Sequence, residues 1–533
     1  MASSGLSLVR RAAKAVRRTP RWRKRLIYFG VGLTTLTYAC QDNEVLQICD
    51  GTGNKKKVVI LGTGWASASF LRNIDTSLYD VHVVSPRNYF TFTPLLPSVT
   101  CGTVEARSIV EPVRNIVRKR KAAFRFWEAE CFKIDPTNKK VHCRSDVGTN
   151  INGDGEFDVD YDYLIVGVGA RPNTFNTPGV TENCHFLKEV EDAQNIRKSV
   201  LKCFERASLP NISEEERKKN LHFVVIGGGP TGVEFAAELH DFVNEDLAKL
   251  YPDVKKYVNI SVIEAGGHIL TMFDKRITQF AEEKFKRDGI DLKTNFKVVK
   301  VSDKDITMTN PATGEIAVPY GMAVWSTGIG TRPIIMDFMK QVGQGNRRAL
   351  ATDEWLRVQG CEDVYALGDC ATIAQRKGMM KGFHDLLKDS DGNSKELKEL
   401  DIEQFKKALA QVDSQVKMLP ATAQVAAQEG EYLAKCFNRM KICEEKPEGP
   451  LRIRGAGHHR FKPFRYRHFG QFAPLGGEQT AYQLPGDWVH VGHSTQWLWY
   501  SAYASMQFSW RTRMLVVSDW GRRFIFGRDS SSL

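Results

Sequence analysis

The 533-residue chain has eleven cysteines but no C-x-x-C pair among them. That absence excludes a zinc ribbon and argues against a thiol–disulfide relay built from neighbouring cysteines. Nothing resembles a Ser/His/Asp triad or a cluster of metal ligands, so the chemistry expected is neither nucleophilic nor metal-based. Long apolar runs are also scarce. Leu26 to Cys40 covers 15 residues, short of the roughly 18–20 of a confident membrane-spanning helix. Acidic residues are missing from residues 1–41, where Arg10, Arg11, Lys14, Arg17, Arg18, Arg21, Arg23, Lys24 and Arg25 account for most of the net charge of +13. A basic, acid-free leader reads as a mitochondrial presequence, here followed by a sorting segment. A secretory signal fits less well, because the basic stretch is long and no small-residue cleavage site stands out. Nucleic-acid binding fits less well again, because Trp22 is the one aromatic among the basic residues. Apolar content of 42% against 26% charge predicts a globular body.

Two glycine-rich loops are present. Val58-Val59-Ile60-Leu61 runs into Gly62-Thr63-Gly64-Trp65-Ala66-Ser67, and Phe223-Val224-Val225-Ile226 runs into Gly227-Gly228-Gly229-Pro230-Thr231-Gly232. Each follows a β-branched apolar strand and precedes a helix-compatible stretch. Glycines let the backbone approach a pyrophosphate, and the helix N-terminus then supplies free N–H groups and a favourable dipole. Two such loops predict two dinucleotides in one chain. The first loop has Ser67 in place of its third glycine, and its second strand ends in Ser85-Pro86-Arg87-Asn88, with no acid for a ribose. The second strand of the other unit ends in Glu264, which would accept bonds from ribose hydroxyls and repel a 2′-phosphate. Both units close alike, through Gly167-Val168-Gly169-Ala170-Arg171-Pro172 and Gly328-Ile329-Gly330-Thr331-Arg332-Pro333. This degenerate repeat points to duplication. A last buried strand ends in Gly368-Asp369-Cys370, an acid placed to bond a ribityl hydroxyl.

The two loops, Phe92-Thr93-Pro94-Leu95-Leu96, Gly368-Asp369-Cys370 and Ala423-Gln424-Val425-Ala426-Ala427-Gln428-Glu429-Gly430 occur in that order. Together they resemble the two-dinucleotide-binding flavoproteins. Within these the chain is similar to the type II, non-proton-pumping NADH:ubiquinone dehydrogenases, in particular the plant mitochondrial external branch that carries an EF-hand. The resemblance implies an α/β fold with two Rossmann-like domains and a C-terminal amphipathic helical region for membrane attachment. It implies rotenone-insensitive passage of hydride from NADH to FAD, and of two electrons on to ubiquinone, by a peripheral, homodimeric protein of the mitochondrial inner membrane, facing the intermembrane space.

Carried over by motif, Gly62, Gly64, Trp65, Ser67, Thr93, Gly169, Gly368 and Asp369 would hold FAD. Gly227, Gly229, Gly232, Glu264 and Gly328 would hold NADH. Glu234, near the nicotinamide, and Gln424 and Gln428, sharing a helix face at the flavin–quinone junction, are the catalytic candidates. Metal ligands are not expected. The domains expected are a presequence over 1–41, FAD binding over 55–220, NADH binding over 221–330, a second FAD part over 331–372 and 418–450, an insertion over 373–417, and a C-terminal region over 451–533. In the insertion, Asp389-Ser390-Asp391-Gly392-Asn393-Ser394 begins like a calcium loop. Ser394 stands where the turn glycine belongs and Leu400 where the bidentate glutamate belongs, so calcium binding should be weak or absent.

The C-terminus carries Arg452, Arg454, Arg460, Lys462, Arg465 and Arg467 in an acid-free segment. Trp499, Tyr503, Met506, Trp510, Met514, Val517, Trp520 and Phe524 then recur at three- or four-residue steps, interrupted by Arg511, Arg513, Arg522 and Arg523. An aromatic helical face with basic flanks suits an anionic bilayer surface. Three alternatives stand beside this reading. They are a sulfide- or disulfide-handling flavoprotein, an NADPH-preferring dehydrogenase, and a non-catalytic FAD/NADH-binding redox sensor. Ser531-Ser532-Leu533 faintly resembles a peroxisomal address.

Overall fold

The computed structural model describes residues 55–117, 124–145, 155–373, 419–445 and 462–531. The basic leader, the insertion with its calcium-like loop, and Arg452, Arg454 and Arg460 lie outside the described residues.

The first glycine loop joins β1 (Lys57–Leu61) to α1 (Trp65–Asn73), and β2 (Asp80–Ser85) follows. A short helix, α2 (Leu96–Thr100), comes next, then β3 (Arg125–Glu128) and β4 (Tyr163–Val166). With Val364–Ala366 these strands make one parallel sheet, in the order β3, β2, β1, β4, Val364–Ala366. Val58 to Leu61 are all buried, because helices cover both faces of a parallel sheet and its strands read as unbroken apolar runs.

The second sheet repeats this plan. Helix α3 (Val190–Ala207) leads to β5 (His222–Ile226), and the second loop opens α4 (Pro230–Phe242). Strands β6 (Asn259–Glu264), β7 (Asp291–Thr294) and β8 (Met322–Trp325) complete it. The order is His185–Phe186, β8, β5, β6, β7, again all parallel. Its outer strand, His185–Phe186, comes from upstream of residue 221, as the outer strand of the first sheet comes from downstream of the second domain. Each domain inserts a three-stranded antiparallel sheet before its closing strand. These are Glu130–Asp135, Lys140–Arg144 and Glu156–Asp160 in the first, and Lys297–Val301, Asp305–Asn310 and Gly314–Pro319 in the second. The two Arg-Pro closures meet: Arg171 pairs with Gly330 and Pro172 with Ile329, antiparallel.

Helix α5 (Ala423–Glu445) returns to the first domain. It lies so close to α1 that a Cβ on Gly430 would sit 2.0 Å from the Ala66 carbonyl oxygen. A meander of β9 (Gln471–Pro474), β10 (Thr480–Gln483) and β11 (Val489–Gly492) then leads to α6 (His493–Met506) and α7 (Trp510–Phe526). One buried cluster runs from Ile60 and Phe70 through Phe223 and Phe235 to Trp499 and Trp520. The C-terminal unit is therefore packed into both nucleotide domains. Its aromatic stripe divides. Trp499 and Trp520 pack inward, ring centroids 5.6 Å apart, while Met506, Trp510, Met514 and Phe524 face outward and are exposed, as are Ile525 and Phe526. The three-to-four-residue spacing could not separate these two faces, because it is shared by two helices that meet at a turn. No helix among the described residues is long and apolar enough to cross a membrane.

Candidate active site

Both glycine loops sit at the carboxyl ends of their strands, where ligands bind in open α/β sheets. The first glycine of each loop has a positive φ, +93° at Gly62 and +115° at Gly227. There is also no room beside them: a Cβ on Gly62 would lie 2.5 Å from the Gly167 carbonyl oxygen, and one on Gly227 2.9 Å from the Thr327 Cβ. The second glycines, Gly64 and Gly229, are the N-caps of α1 and α4, and neither helix has a side-chain cap. A Cβ on either would meet nothing within 4 Å. Each helix thus presents unsatisfied backbone N–H groups toward open space, which is the condition for holding a pyrophosphate. By this test the residues fit two dinucleotides.

The third positions differ. A Cβ on Gly232 would lie 2.0 Å from the Gly227 carbonyl oxygen, so only glycine fits. Ser67 is tolerated because its side chain points toward Gly167, which has no Cβ of its own. Its hydroxyl is buried without a hydrogen-bond partner.

The other flavin candidates converge on the first loop. The Trp65 Nε1–H donates to Thr93 Oγ1 at 2.8 Å, so these two are bonded to each other. Gly169 has φ +67° and open space beside it, and Gly368 has φ +70°. Asp369 Oδ2 lies 3.3 Å from the Lys188 ammonium. Glu429 was not singled out from the sequence. Its carboxylate accepts the Gly368 N–H at 2.6 Å and is 4% exposed. Burial pushes its pKa up to about 8, the Gly368 amide opposes this, and the negative charge of Asp369 adds to it. Glu431, two residues on, is an equally plain acid in the sequence, so only burial separates the two. Arg87 and Glu189 also went unassigned. Arg87 Nη2 donates to Glu189 Oε1 at 2.8 Å, with a second short contact between Nη1 and Oε2. The end of β2 lacks its own acid, yet a carboxylate reaches that place from the N-cap of α3. No local sequence pattern predicts that long-range pairing.

At the second site, Glu264 Oε2 accepts the Gly228 N–H and Oε1 the Gly266 N–H, both at 2.7 Å. The carboxylate thereby fixes the turn beside the loop. Gly328 has φ +76° and lies beneath the exposed ring of Phe175, whose Cζ would be 2.6 Å from a Cβ there.

Glu234 and Glu238 are one turn apart on α4. Glu238 accepts hydroxyl bonds from Ser98 at 2.9 Å and Thr103 at 2.8 Å. The Glu234 carboxyl is held well above the usual carboxylate range, first by burial and then by the Glu238 charge. Burial first, and then nearby Glu234, push the Tyr503 hydroxyl up, and its ring packs against Phe92 and Phe472 at 5.7 and 5.9 Å. Trp65 reaches the same aromatic wall through Phe508, 6.2 Å away.

Gln424 and Gln428 share a face of α5, but their amides are engaged. Gln424 Nε2 donates to the Gly470 carbonyl at 2.7 Å, and its Oε1 accepts from the Tyr466 hydroxyl and the Phe469 N–H, both at 3.3 Å. Gln428 bonds both the N–H and the carbonyl of Arg467, at 3.0 and 2.8 Å. Both side chains tie the segment before β9 to the helix beside the flavin loop. Among the described residues no group of three or more potential ligands could hold a metal.

Residues 56–430 match the family described as pyridine nucleotide-disulphide oxidoreductase, and residues 468–529 match an NDH2 C-terminal domain. The chain is 65% identical over 527 residues to the external alternative NAD(P)H-ubiquinone oxidoreductase B3, mitochondrial, of Arabidopsis thaliana, covering 90% of this chain and 91% of that protein. It is 40% identical to external NADH-ubiquinone oxidoreductase 2, mitochondrial, of Saccharomyces cerevisiae, covering 90% of this chain and 82% of that one. The structure of NDH2 from Plasmodium falciparum in complex with NADH superposes with a TM-score of 0.79 at 32% identity, covering 90% of this chain and all of the other.

Proposed function

Because this chain belongs to the pyridine nucleotide-disulphide oxidoreductases, and within them to the type II NADH:ubiquinone dehydrogenases of the plant mitochondrial external branch, we propose that its two nucleotide sites work in series. The protein is a FAD-dependent NADH:ubiquinone reductase. It is mitochondrial and associates peripherally with the inner membrane. A bound flavin would supply the redox chemistry, two-electron transfer between NADH and the quinone. The observation that carries this reading is the pair of uncapped helix N-termini, each entered through a glycine at positive φ.

The protein's own groups divide the remaining work. Gly62, Gly64, Ser67 and Gly169 would leave backbone room for the flavin nucleotide, and Asp369, steadied by Lys188, would bond its ribityl hydroxyls. Glu429 holds the Gly368 turn in place. Gly227, Gly229 and Gly232 admit the nicotinamide nucleotide, with Glu264 at its ribose. Glu264 favours NADH, since a second negative charge beside that carboxylate would be repelled. Glu234 keeps its proton to a higher pH than an exposed glutamate and would lie near the nicotinamide. Phe92, Phe472 and Tyr503 form an apolar wall suited to a quinone ring. Gln424 and Gln428 act by positioning residues 466–470 rather than by offering free amides.

The outward apolar residues of α6 and α7 would enter the bilayer surface, and pairing of two copies through these helices fits the same face. An intermembrane-space orientation follows from the basic leader and apolar sorting run. The peroxisome is a second destination through the C-terminal tripeptide. Calcium binding is weak or absent, since Ser394 and Leu400 stand where the loop's glycine and glutamate belong. The decisive experiment is anaerobic titration with NADH followed by a short-chain ubiquinone. Flavin absorbance should bleach and then return. A protein that stays colourless after incubation with FAD, or bleaches without quinone-driven recovery, rejects the proposal.

A further inference from the structure

The primary sequence offers no adjacent cysteine pair, but the fold creates one. Cys131 and Cys143 lie on neighbouring strands of the small antiparallel sheet in the first domain, directly opposite in register. Residues so paired have Cα atoms about 4.5–5.5 Å apart and side chains on the same face. That spacing lies inside the window of about 4.4–6.8 Å that a disulfide requires. Paired across neighbouring strands, the two thiols lie side by side on one face of the sheet. Their other contacts are long: Cys131 Sγ to the Lys133 carbonyl at 3.5 Å and Cys143 Sγ to the Val141 carbonyl at 3.9 Å. Nothing strong holds either sulfur away from its partner.

Their surroundings are unequal. Cys143 is fully buried, packed with Ile134 and Val141 against Val59, Leu61 and Val84 of the main sheet. Cys131 is half-buried at a register shift between Cys131 and Lys133. A soluble reagent therefore reaches Cys131 first, and Cys143 is placed to resolve what forms there.

We infer that Cys131 and Cys143 are an oxidisable pair, a modification site at which a small disulfide oxidant such as oxidised glutathione installs a cross-strand bridge. The Cys131 thiolate attacks one sulfur of the oxidant, forming a mixed disulfide and releasing one glutathione thiolate. The Cys143 thiolate then attacks the Cys131 sulfur and releases the second. The protein loses two protons and two electrons, and the oxidant becomes two thiols. The neighbouring thiol and burial both raise the pKa of Cys131. The exchange is therefore slow near neutrality and quickens about tenfold per pH unit while the thiolate fraction limits it. This places the pair as a staple set under sustained oxidising conditions. The assignment is independent of the flavin and nicotinamide reading.

The test uses full-length, flavin-loaded protein incubated with oxidised glutathione at several pH values. Samples are acid-quenched, alkylated in denaturant, digested and mapped by mass spectrometry. A linked peptide pair joining Cys131 to Cys143, lighter by two hydrogens and split by reductant, is expected, forming faster at higher pH. It should vanish in C131S, and the bridged protein should melt roughly 5 °C higher than the reduced one. The wild-type peptide map decides the matter even where a variant folds poorly. Recovery of both cysteines as separate alkylated peptides after prolonged oxidation overturns the inference. So does glutathione that stays on Cys131 without being displaced.

Discussion

Glu429 and Glu264 are both carboxylates that accept glycine N–H bonds, yet only Glu429 is cut off from water. Its pKa of about 8 lies above that of the unfolded chain, so the folded protein binds a proton that the unfolded chain releases. Its contribution to stability is complete below about pH 4.5, declines as pH rises, and is gone above about pH 8. In E429Q the amide keeps an acceptor for Gly368 but cannot ionise. Melting curves should show wild type losing stability against this variant from pH 5 to 8.5, by on the order of a few kcal/mol. A constant difference across that range would mean that Glu429 is not buried as described. Glu264 acts through charge. E264Q should raise the ratio of kcat/KM for NADPH over NADH about tenfold or more, because repulsion of a 2′-phosphate is removed. An unchanged ratio would move coenzyme choice elsewhere. The acid at the end of β6 was readable from the sequence, because its position relative to the glycine loop is local. The role of Glu429 was not, because burial of one helix face against Gly368 depends on how α5 returns to α1.

At the scale of elements, the two βα turns make separable predictions. Alanine at Gly62 meets the Gly167 carbonyl and a positive φ, and alanine at Gly232 meets the Gly227 carbonyl. Each overpacks backbone against backbone, at a local cost of about 1–3 kcal/mol or more. G62A should be purified with little flavin. G232A should remain yellow but fail to bleach with NADH. Visible absorbance before and after NADH reads both. A colourless G232A would show that the two sites do not load independently. The strand–glycine–helix units were legible because a buried parallel strand is an unbroken apolar run followed by its turn. The return of Val364–Ala366 to the first sheet agrees with the second FAD part expected over 331–372. The placement of His185–Phe186 in the second sheet was hidden, because two residues carry no periodicity of their own.

At the scale of the molecule, the C-terminal unit is locked to both domains by Arg528. Its side chain is 1% exposed. It donates to Thr103 at 2.8 Å, Glu245 at 2.7 Å and Asp246 at 2.9 Å, and lies 3.7 Å from Glu238. Glu245 and Asp246 project from a π-helical turn, Val243–Leu247, which continues α4. R528M leaves Asp246 without its cation, while Glu245 keeps Arg523 at 3.2 Å, and should destabilise the protein by about 3–5 kcal/mol. Earlier protease cleavage around α7 should accompany a lower melting temperature. The outward face of α7 makes a different prediction. Serine at Trp510, Met514 and Phe526 should weaken co-sedimentation with anionic vesicles while reduction of a soluble short-chain quinone persists. Equal loss of both would mean that these residues support the fold rather than the surface.

The sequence by itself determined the two strand–glycine–helix loops and the acid that ends β6 at Glu264, because a turn, a cap and an apolar strand are set by neighbours a few residues apart. The tertiary structure alone decided that Gln424 and Gln428 spend their amides on backbone, that Glu429 is buried at the Gly368 turn, that the C-terminal aromatics divide between core and surface, and that Cys131 faces Cys143. Each of these depends on which segments the packed core brings side by side, and spacing along the chain carries no record of that contact.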